Sequence, residues 1–273
     1  MSNSPLSDQP AGAGLLRAGR VGERLAAGEI IDLHAHLGAY TFTIPDLSAA
    51  GMVASMDRLG VARTVVSHMA CMSADAERGN RELQAAVQAH PGRLLAYLSV
   101  WPFSREWVRE RAEHWLSQPG FVGVKIHNST GFPYTDPTYE PLYALADARR
   151  LPVLLHTWGT PEEFTQIGAL AARYPEAAFL LAHSGSTNEP AYVEIARAHP
   201  HVYLDTTLSS ARRGLLERLV AAAGAAQVVW GSDMYFLNQA QQLGRVLGAQ
   251  LDDETTLRVL GQNAAALLAR VRS

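Results

Sequence analysis

Residues 30–36 read IIDLHAH, an apolar run that ends in two histidines. Three later segments follow the same plan: VLLH ends at His156, FLLAH ends at His183 and VVWGSD ends at Asp233. Nearly continuous apolar runs of this length are typical of parallel strands that are buried on both faces. Each of these strands is therefore expected to present a polar side chain at its carboxyl end.

The pattern extends over the whole chain from Glu29 onward, where short strand-like runs alternate with longer amphipathic stretches. We predict strands at Ile30–His34, Thr64–His68, Leu94–Val100, Gly123–His127, Val153–His156, Ala178–His183, Val202–Asp205 and Val228–Gly231. We predict helices at Asp46–Leu59, Ala74–His90, Arg105–Ser117, Pro137–Arg149, Pro161–Tyr174, Glu189–His199, Arg212–Ala223, Asn238–Leu247 and Asp253–Arg270. Eight strand–helix units predict an α/β fold of the (β/α)8 TIM barrel type. An open doubly wound sheet is the alternative, but no glycine-rich phosphate-binding sequence follows the first strand.

The composition excludes several classes of protein. The 273 residues carry 26 acidic and 23 basic side chains, a net charge of −3, which argues against a nucleic-acid partner because such partners usually meet a basic surface. Cys71 is the only cysteine, so an internal disulfide and a cysteine-based zinc site are excluded and a cytoplasmic location is expected. No apolar run approaches the roughly 18 residues of a membrane span, so no membrane partner is expected.

Residues 1–28 differ in character from the rest of the chain. They are rich in Ser, Pro, Gly and Ala and lack the continuous apolar stretch of a signal peptide. We predict that they form a flexible N-terminal arm with a short helix near Val21–Ala27. Residues 29–273 then form one barrel domain, since no interdomain linker interrupts the alternation.

Six of the ten histidines fall at or just after the end of a predicted strand. They are His34, His36, His68, His127, His156 and His183. Asp233 occupies the same place after the last strand. Active sites of barrels are built at this end, because the loops that follow the strands converge there. The sequence therefore predicts an imidazole-rich site at the mouth of the barrel.

His34 and His36 are two residues apart on a strand, so both side chains point to the same face. Two imidazoles directed into a barrel can bind one divalent cation, and a nearby carboxylate completes a donor set for Zn²⁺, Fe²⁺ or Mn²⁺. Such an ion lowers the pKa of bound water from 15.7 towards about 7. Zinc is the cofactor that we expect, with iron or manganese as alternatives and with one or two ions bound.

Taken together, the motifs resemble those of the amidohydrolase superfamily, and most of all the amidohydrolase-related branch that includes aminocarboxymuconate-semialdehyde decarboxylase. The matching sequences are IDLHAH, GVKIH, VLLH, AHSG and GSD, which follow one another in this order between residues 30 and 234. The resemblance implies a distorted (β/α)8 barrel with a catalytic divalent metal. It implies that His34, His36, His156 and Asp233 are metal ligands and that Asp233 also orients or deprotonates the attacking water.

The resemblance further implies that His183 is the acid–base residue in members with one metal, or a ligand in members with two. On the fourth strand some members carry a carboxylated lysine that bridges two metals. Lys125 stands on that strand, but His127 lies two residues nearer the mouth on the same face and is better placed to meet metal or substrate. A Lys125 buried in the barrel and paired with Asp32 or Asp205 is the alternative.

Other side chains that follow strand ends are candidates for a substrate pocket. We predict that His127, His68, Trp158 and Tyr235 bind the substrate. Aromatic side chains in these loops would suit an apolar or aromatic molecule. Asp205 is expected to support its neighbours rather than to perform chemistry.

Several functions fit these residues. The leading hypothesis is a metal-dependent hydrolase of a small molecule with an amide, ester or lactone bond, in which Asp233 accepts a proton and His183 stabilises the oxyanion or protonates the leaving group. The second is a non-oxidative decarboxylase of an aromatic or unsaturated acid, which requires a cation at the mouth such as Arg81, Arg212 or Arg213. A di-iron oxygen-activating enzyme and a barrel that binds without catalysis are the remaining hypotheses. The Ala- and Leu-rich helices are compatible with a homodimer.

Overall fold

The computed structural model describes residues 13–25, 28–41 and 43–272. Its strands are β1 (Ile30–Leu37), β2 (Val61–His68), β3 (Leu94–Leu98), β4 (Phe121–Ile126), β5 (Pro152–Leu155), β6 (Ala178–Leu181), β7 (Val202–Asp205) and β8 (Val228–Val229). Its helices are α1 (Ala13–Arg20), α2 (Ala49–Leu59), α3 (Ala76–Ala89), α4 (Arg105–Leu116), α5 (Glu140–Ala148), α6 (Pro161–Arg173), α7 (Glu189–Ala198), α8 (Leu215–Ala223), α9 (Gln239–Leu247), α10 (Asp253–Leu257) and α11 (Asn263–Ala269). A π-helical turn at Arg258–Gln262 joins the last two helices. Over the described ranges no helix is both long and apolar enough to cross a membrane.

The eight strands form one sheet in sequence order, and each neighbouring pair is parallel. The sheet closes because the backbone of β1 bonds to the chain just after β8. The amide of Leu33 donates to the carbonyl of Trp230 over 3.1 Å, and the amide of Ser232 donates to the carbonyl of His34 over 3.1 Å. We call this junction, formed by residues 33–36 and 230–234, the seam. The predicted (β/α)8 barrel is confirmed.

Apolar side chains fill the interior of the barrel. Ile31, Leu33, Tyr97, Leu154 and Leu180 belong to one cluster and are at most 1 % exposed. A larger apolar cluster lies between the strands and the surrounding helices. Because the interior is packed, the carboxyl ends of the strands are the natural place for a cavity.

Some of the helices that follow the strands, α2 and α6 among them, begin at side chains that cap them. Thr160 and Glu163 form a capping box at the start of α6, where Pro161 occupies the first turn. At the start of α2 the side chain of Ser48 accepts a hydrogen bond from a backbone amide of the first turn. These capping side chains are visible in the sequence, and they determine where two loops of the mouth end.

The N-terminal helix differs from the prediction. It lies at Ala13–Arg20 rather than near Val21–Ala27, and residues 21–25 are not helical. Gly22, with a φ of 70°, follows the helix and allows the chain to turn away. Leu15 and Leu25 are buried and α1 contacts α9, so this part of the predicted arm packs against the barrel. Residues 1–12, 26 and 27 lie outside the described part of the chain.

Five strands, β3, β4, β5, β6 and β8, end one or two residues earlier than predicted. β6 ends at Leu181 rather than at His183, because His183 has a φ of 61°, which lies outside the extended region. β8 contains only Val228 and Val229, and the residues after it form the seam. His183 therefore lies on a turn and not on a strand, and Asp233 lies in the seam after β8.

Candidate metal centre

Three donor atoms meet where the seam reaches the mouth of the barrel. Nε2 of His34 and Nε2 of His36 are 3.2 Å apart. Oδ1 of Asp233 lies 3.0 Å from Nε2 of His36 and 3.7 Å from Nε2 of His34. All three atoms lie within 4.8 Å of one another, a spacing that allows them to share one metal ion. The structure thus brings three of the predicted ligands together.

Both imidazoles are held through their other ring nitrogen. Nδ1 of His34 donates to Oδ2 of Asp205 over 2.5 Å, and because a carboxylate can only accept, neutral His34 keeps a lone pair at Nε2. The amide and hydroxyl of Thr207 hold Asp205 in turn. Nδ1 of His36 lies 2.9 Å from Oγ of Ser67, a hydroxyl that can accept or donate. His36 can therefore donate to Asp233 from Nε2, or offer a lone pair there to a cation.

A second series of hydrogen bonds orients His156 and His183. Nδ1 of His183 donates to the carbonyl of Thr207 over 3.0 Å, so Nε2 of His183 is an acceptor. Nδ1 of His156 lies 3.2 Å from that acceptor and therefore carries the proton. Nε2 of His156 is then left with a lone pair, and within the described chain this buried atom has no hydrogen-bond partner. A buried imidazole nitrogen in this state fits a metal ligand, although His156 lies outside the group of three donors.

His127 stacks on His156, with ring centroids 3.9 Å apart. Nδ1 of His127 accepts from the amide of Ser129 over 3.1 Å, so the ring proton is on Nε2. Burial, assisted by the charge of Lys125, lowers the pKa of His127 to about 2 and keeps the ring neutral. A neutral ring with an N–H at Nε2 is a hydrogen-bond donor, which favours the substrate-binding prediction over the metal-binding one.

Burial determines the charge of the other groups. His34 and His36 are 0 % and 6 % exposed, and burial lowers the pKa of both imidazoles, as it does for His183. Burial alone would raise the pKa of Asp233, but the hydrogen bond from His36 and the neighbouring imidazoles hold that pKa well below its usual value. The site therefore offers neutral imidazoles and one ionised carboxylate, a donor set that suits a divalent cation.

Two of these residues adopt a backbone conformation that L-amino acids rarely occupy. His183 has a φ of 61° and Asp233 has a φ of 58°. The left-handed region costs free energy for residues other than glycine, and it persists where surrounding contacts impose it. The chain after β6 and after β8 therefore holds both residues that are predicted to be catalytic in an unfavourable backbone conformation. The peptide bond between Met234 and Tyr235 is cis.

Two of the three donor residues, His36 and Asp233, border a cavity of about 430 Å³. Of the predicted residues, those that line it are His36, His127, His156, His183, Asp233 and Trp158. Lining residues that sequence reasoning missed include Met69, Met72, Leu208, Ser209, Phe236 and Leu237. They lie in the loops after β2, β7 and β8, and no motif marks them. Only the folded shape of these loops shows that they face the same space.

His68 and Tyr235, which we predicted to bind substrate, do not line this cavity. Nε2 of His68 donates to Glu82 of α3 over 2.8 Å. The hydroxyl of Tyr235 donates to the carbonyl of Ser48 over 2.5 Å. Both polar groups are engaged elsewhere in the fold, and Phe236 lines the cavity in place of its neighbour Tyr235.

Lys125, the only lysine of the chain, is buried in the barrel. The predicted pairing of Lys125 with Asp32 or Asp205 is not found. Asp32 accepts from Ser232 and Gln239, while Asp205 is occupied as described above. Nζ of Lys125 has no hydrogen-bond partner within the described ranges. Burial lowers the pKa of this amine. The pairing prediction was wrong because neutral donors already satisfy both carboxylates.

The arginines expected at the mouth also lie elsewhere. Arg212 and Arg213 line a neighbouring cavity of about 340 Å³, together with Arg245 of α9. Arg81 is exposed on α3 and lines neither cavity. Among the residues that the structure describes, no Lys or Arg lines the cavity of the metal centre.

The sequence model of the amidohydrolase family matches residues 31–270. The chain belongs to the amidohydrolase family. The match runs from the first strand to the last helix and includes every residue of the candidate metal centre. The chain is accordingly an enzyme of the amidohydrolase superfamily. Among curated proteins, none matches it.

Solved structures of other amidohydrolases have the same fold. The 5-carboxyvanillate decarboxylase of Sphingomonas paucimobilis is 16% identical, with a TM-score of 0.69 over 89% of this chain and 99% of that one. The dihydroxybenzoic acid decarboxylase of Polaromonas, solved with manganese and 2-nitroresorcinol, is 17% identical, with a TM-score of 0.69 over 90% and 98%. A probable 2-pyrone-4,6-dicarboxylic acid hydrolase of Acinetobacter baumannii is 15% identical, with a TM-score of 0.68 over 89% and 100%. Similarity at these identities establishes the fold and leaves the reaction to be argued from the site.

Proposed function

We propose that this amidohydrolase is a metal-dependent hydrolase that cleaves an amide, ester or lactone bond of a small molecule. The observation that carries the proposal is the convergence of His34, His36 and Asp233 within 4.8 Å, with His36 and Asp233 at the edge of a cavity. His156 supplies a further nitrogen, because its Nε2 is buried, unprotonated and without a partner in the described structure. These four residues would hold one divalent cation, for which zinc is our first choice and manganese or iron the alternatives.

A divalent cation bound by these residues would supply Lewis acidity, which would activate water near neutral pH and polarise the scissile carbonyl. Asp233 is ionised and can accept the proton of the attacking water. His183 is neutral and holds its Nδ1 proton against Thr207, so Nε2 is the atom that can take up a proton and return it to the leaving group. His127 can donate from Nε2 to a polar atom of the substrate.

One ion is favoured over two. A second metal would need ligands beyond the first set, and the sequence offers His127 and His183 for that role. Nδ1 of His127 accepts from the amide of Ser129 and is not free to bind a metal, whereas Nδ1 of His183 donates to the carbonyl of Thr207 and leaves Nε2 of His183 as the one unprotonated nitrogen of the pair that a second ion could use. The proton on Nε2 of His127 further opposes metal binding there. The di-iron hypothesis therefore has less support than a single-metal site.

A decarboxylase is the second candidate. Aromatic side chains that line the cavity, such as Tyr40, Trp158 and Phe236, suit a flat ring, and two solved structures of the same fold bear the names of aromatic-acid decarboxylases. Release of CO₂ from an aromatic acid would establish this reaction. Cleavage of an ester, amide or lactone without CO₂ would establish hydrolysis.

The experiment combines metal analysis with turnover. Purified protein is analysed for bound metal by mass spectrometry, and hydrolysis of phenyl acetate and of a lactone panel is followed before and after chelation. We expect chelation, His34→Ala and Asp233→Asn each to abolish turnover, while the exposed His114→Ala on α4 leaves it unchanged. Full activity in metal-free protein would contradict the proposal.

The proposal extends to the setting of the enzyme. We propose that the enzyme acts on a small molecule in the cytoplasm and has no nucleic-acid or membrane partner. We also propose that it forms a homodimer. Sedimentation velocity of the purified protein tests the homodimer: a single species at the monomer mass would contradict it.

A further inference from the structure

We propose that the substrate is a compact, uncharged aromatic ester, amide or lactone, whose scissile carbonyl is its only strongly polar group. This inference rests on the proposed function and specifies the substrate class for the same site. It is carried by the charge and the surface of the cavity beside the metal centre. The two properties are independent. The charge depends on which residues line the cavity, whereas the aromatic surface depends on how the exposed rings are oriented.

The first observation is electrostatic. Within the described chain, no lysine or arginine lines the cavity. The residues outside the described ranges cannot supply one either, because none of them is Lys, Arg or His in the sequence. Lys125 is the only lysine and is fully enclosed, and Arg212, Arg213 and Arg245 line the neighbouring cavity.

The carboxylates of the metal centre offset the double positive charge of a bound divalent cation, so the loaded centre adds little net charge. Asp233 lines the cavity and Asp205 lies just behind His34. A carboxylate of the substrate that lies away from the metal would lose water without gaining a cationic partner, and an ionised group that is desolvated in this way is strongly disfavoured. The cavity therefore discriminates against substrates with a distal acid group.

The second observation is the aromatic surface. Tyr40 and Trp158 are 44 % and 54 % exposed, and both line the cavity. Large apolar side chains left open to solvent at a cavity are typical of a ligand-binding surface. The ring of Phe236 contacts both Tyr40 and His36, with centroids 5.1 Å and 5.5 Å away.

Trp158 is held in a fixed orientation. Its indole Nε1 donates to Oδ1 of Asn128 over 2.9 Å, and its backbone amide donates to Glu163, the capping residue of α6. Asn128 donates to the same Glu163 carboxylate. Because the indole N–H is already bonded, Trp158 presents an apolar ring beside His156, 4.3 Å between centroids. A pre-positioned ring of this kind favours a flat apolar substrate next to the reacting groups.

The test uses two probes that bind without reacting. Acetophenone is an uncharged aromatic carbonyl compound, and 4-acetylbenzoate is the same molecule with a distal carboxylate. Binding of both to the metal-loaded protein is measured by ligand-detected NMR and by inhibition of phenyl acetate turnover. We expect acetophenone to bind at least about tenfold more tightly. Equal affinity, a preference for 4-acetylbenzoate, or no binding of acetophenone would overturn the proposal.

Ser209 provides a matched pair of variants, because it lines the cavity and is exposed. Ser209→Arg adds a cation to the lining, whereas Ser209→Gln adds length without charge. We expect Ser209→Arg to strengthen 4-acetylbenzoate binding by about tenfold and Ser209→Gln to leave it unchanged. An equal effect of both variants would show that charge is not what excludes the acid. The proposed hydrolysis can fail while the probe preference persists, and the reverse also holds, so the two proposals are judged separately.

Discussion

Oδ2 of Asp205 lies 2.5 Å from Nδ1 of His34, and both side chains are at most 1 % exposed. This contact fixes which nitrogen of His34 faces the metal centre. A carboxylate behind a ligating imidazole also raises its basicity, and loss of such a partner typically lowers metal affinity 10–100-fold.

We therefore expect Asp205→Asn to bind metal more weakly by about 10–100-fold while keeping the fold. Competition against a chromophoric chelator measures the affinity. Asp57→Asn, which changes an exposed carboxylate of α2, is the control and should have no effect. Unchanged affinity in Asp205→Asn would mean that His34 is not a ligand or is oriented by other contacts.

His183 is expected to act in proton transfer and not as an essential ligand. His183→Gln should lower kcat by about 10²–10⁴-fold, because Nε2 no longer exchanges a proton, while bound metal stays at the wild-type level. Steady-state kinetics and metal analysis of the same samples provide the two readouts. Loss of metal in proportion to activity would place His183 among the ligands instead.

Lys125 is expected to destabilise the folded chain. Its pKa is lowered from the usual 10.5 by burial, so at a pH between the two values the unfolded chain binds more protons than the folded one, and stability rises with pH. Lys125→Met should raise the free energy of unfolding by about 1–3 kcal/mol near neutral pH and flatten this rise. Denaturant unfolding at pH 7 to 10 measures both. A less stable variant with the same pH slope would contradict the argument.

Cys71 is expected to be unreactive in the native protein. It is buried, and burial raises the pKa of its thiol to about 11, so almost no thiolate exists at pH 8. A disulfide reagent at pH 8 should label native protein at a negligible rate and label unfolded protein fully. Ala221→Cys, on an exposed position of α8, is the positive control. Rapid labelling of native wild-type protein would contradict this prediction.

Gly261 packs so closely against the start of the barrel that no side chain fits. A Cβ at this position would lie 1.7 Å from the carbonyl oxygen of Glu29, just before β1. We expect Gly261→Ala to lower the free energy of unfolding by more than about 2 kcal/mol. Gly244→Ala in α9, where the added methyl meets open space, should raise it by about 0.5–1 kcal/mol. Thermal unfolding of both variants tests the contrast, and equal stability would contradict it.

The fold was accessible from sequence because most strands show the same local signal, an apolar run that ends at a polar residue. The convergence of His34, His36 and Asp233 followed from barrel topology once those runs were recognised. The hydrogen-bond partners of His68 and Tyr235 could not be predicted, since both depend on how loops turn after a strand. The location of Arg212 and Arg213 was missed for the same reason.

Other features were hidden because they depend on contacts between distant segments. No local pattern reveals that Asp32 and Asp205 are satisfied by neutral donors and leave Lys125 unpaired. The absence of lysine and arginine side chains from the described lining of the cavity is likewise a property of the assembled loops. The lining residues come from loops that are far apart in the sequence, so no single segment shows this absence.

The seam joins the two extremes of the barrel, and the donor atoms lie on both sides of it: His34 and His36 on β1, and Asp233 just beyond β8. A ribosome must therefore complete residues 37–232 before the binding site can exist at all. A cation bound there would connect β1, at the start of the barrel, to the residues just after β8, at its end. Loss of the metal would therefore lower the stability of the seam before it lowered the stability of the middle of the barrel.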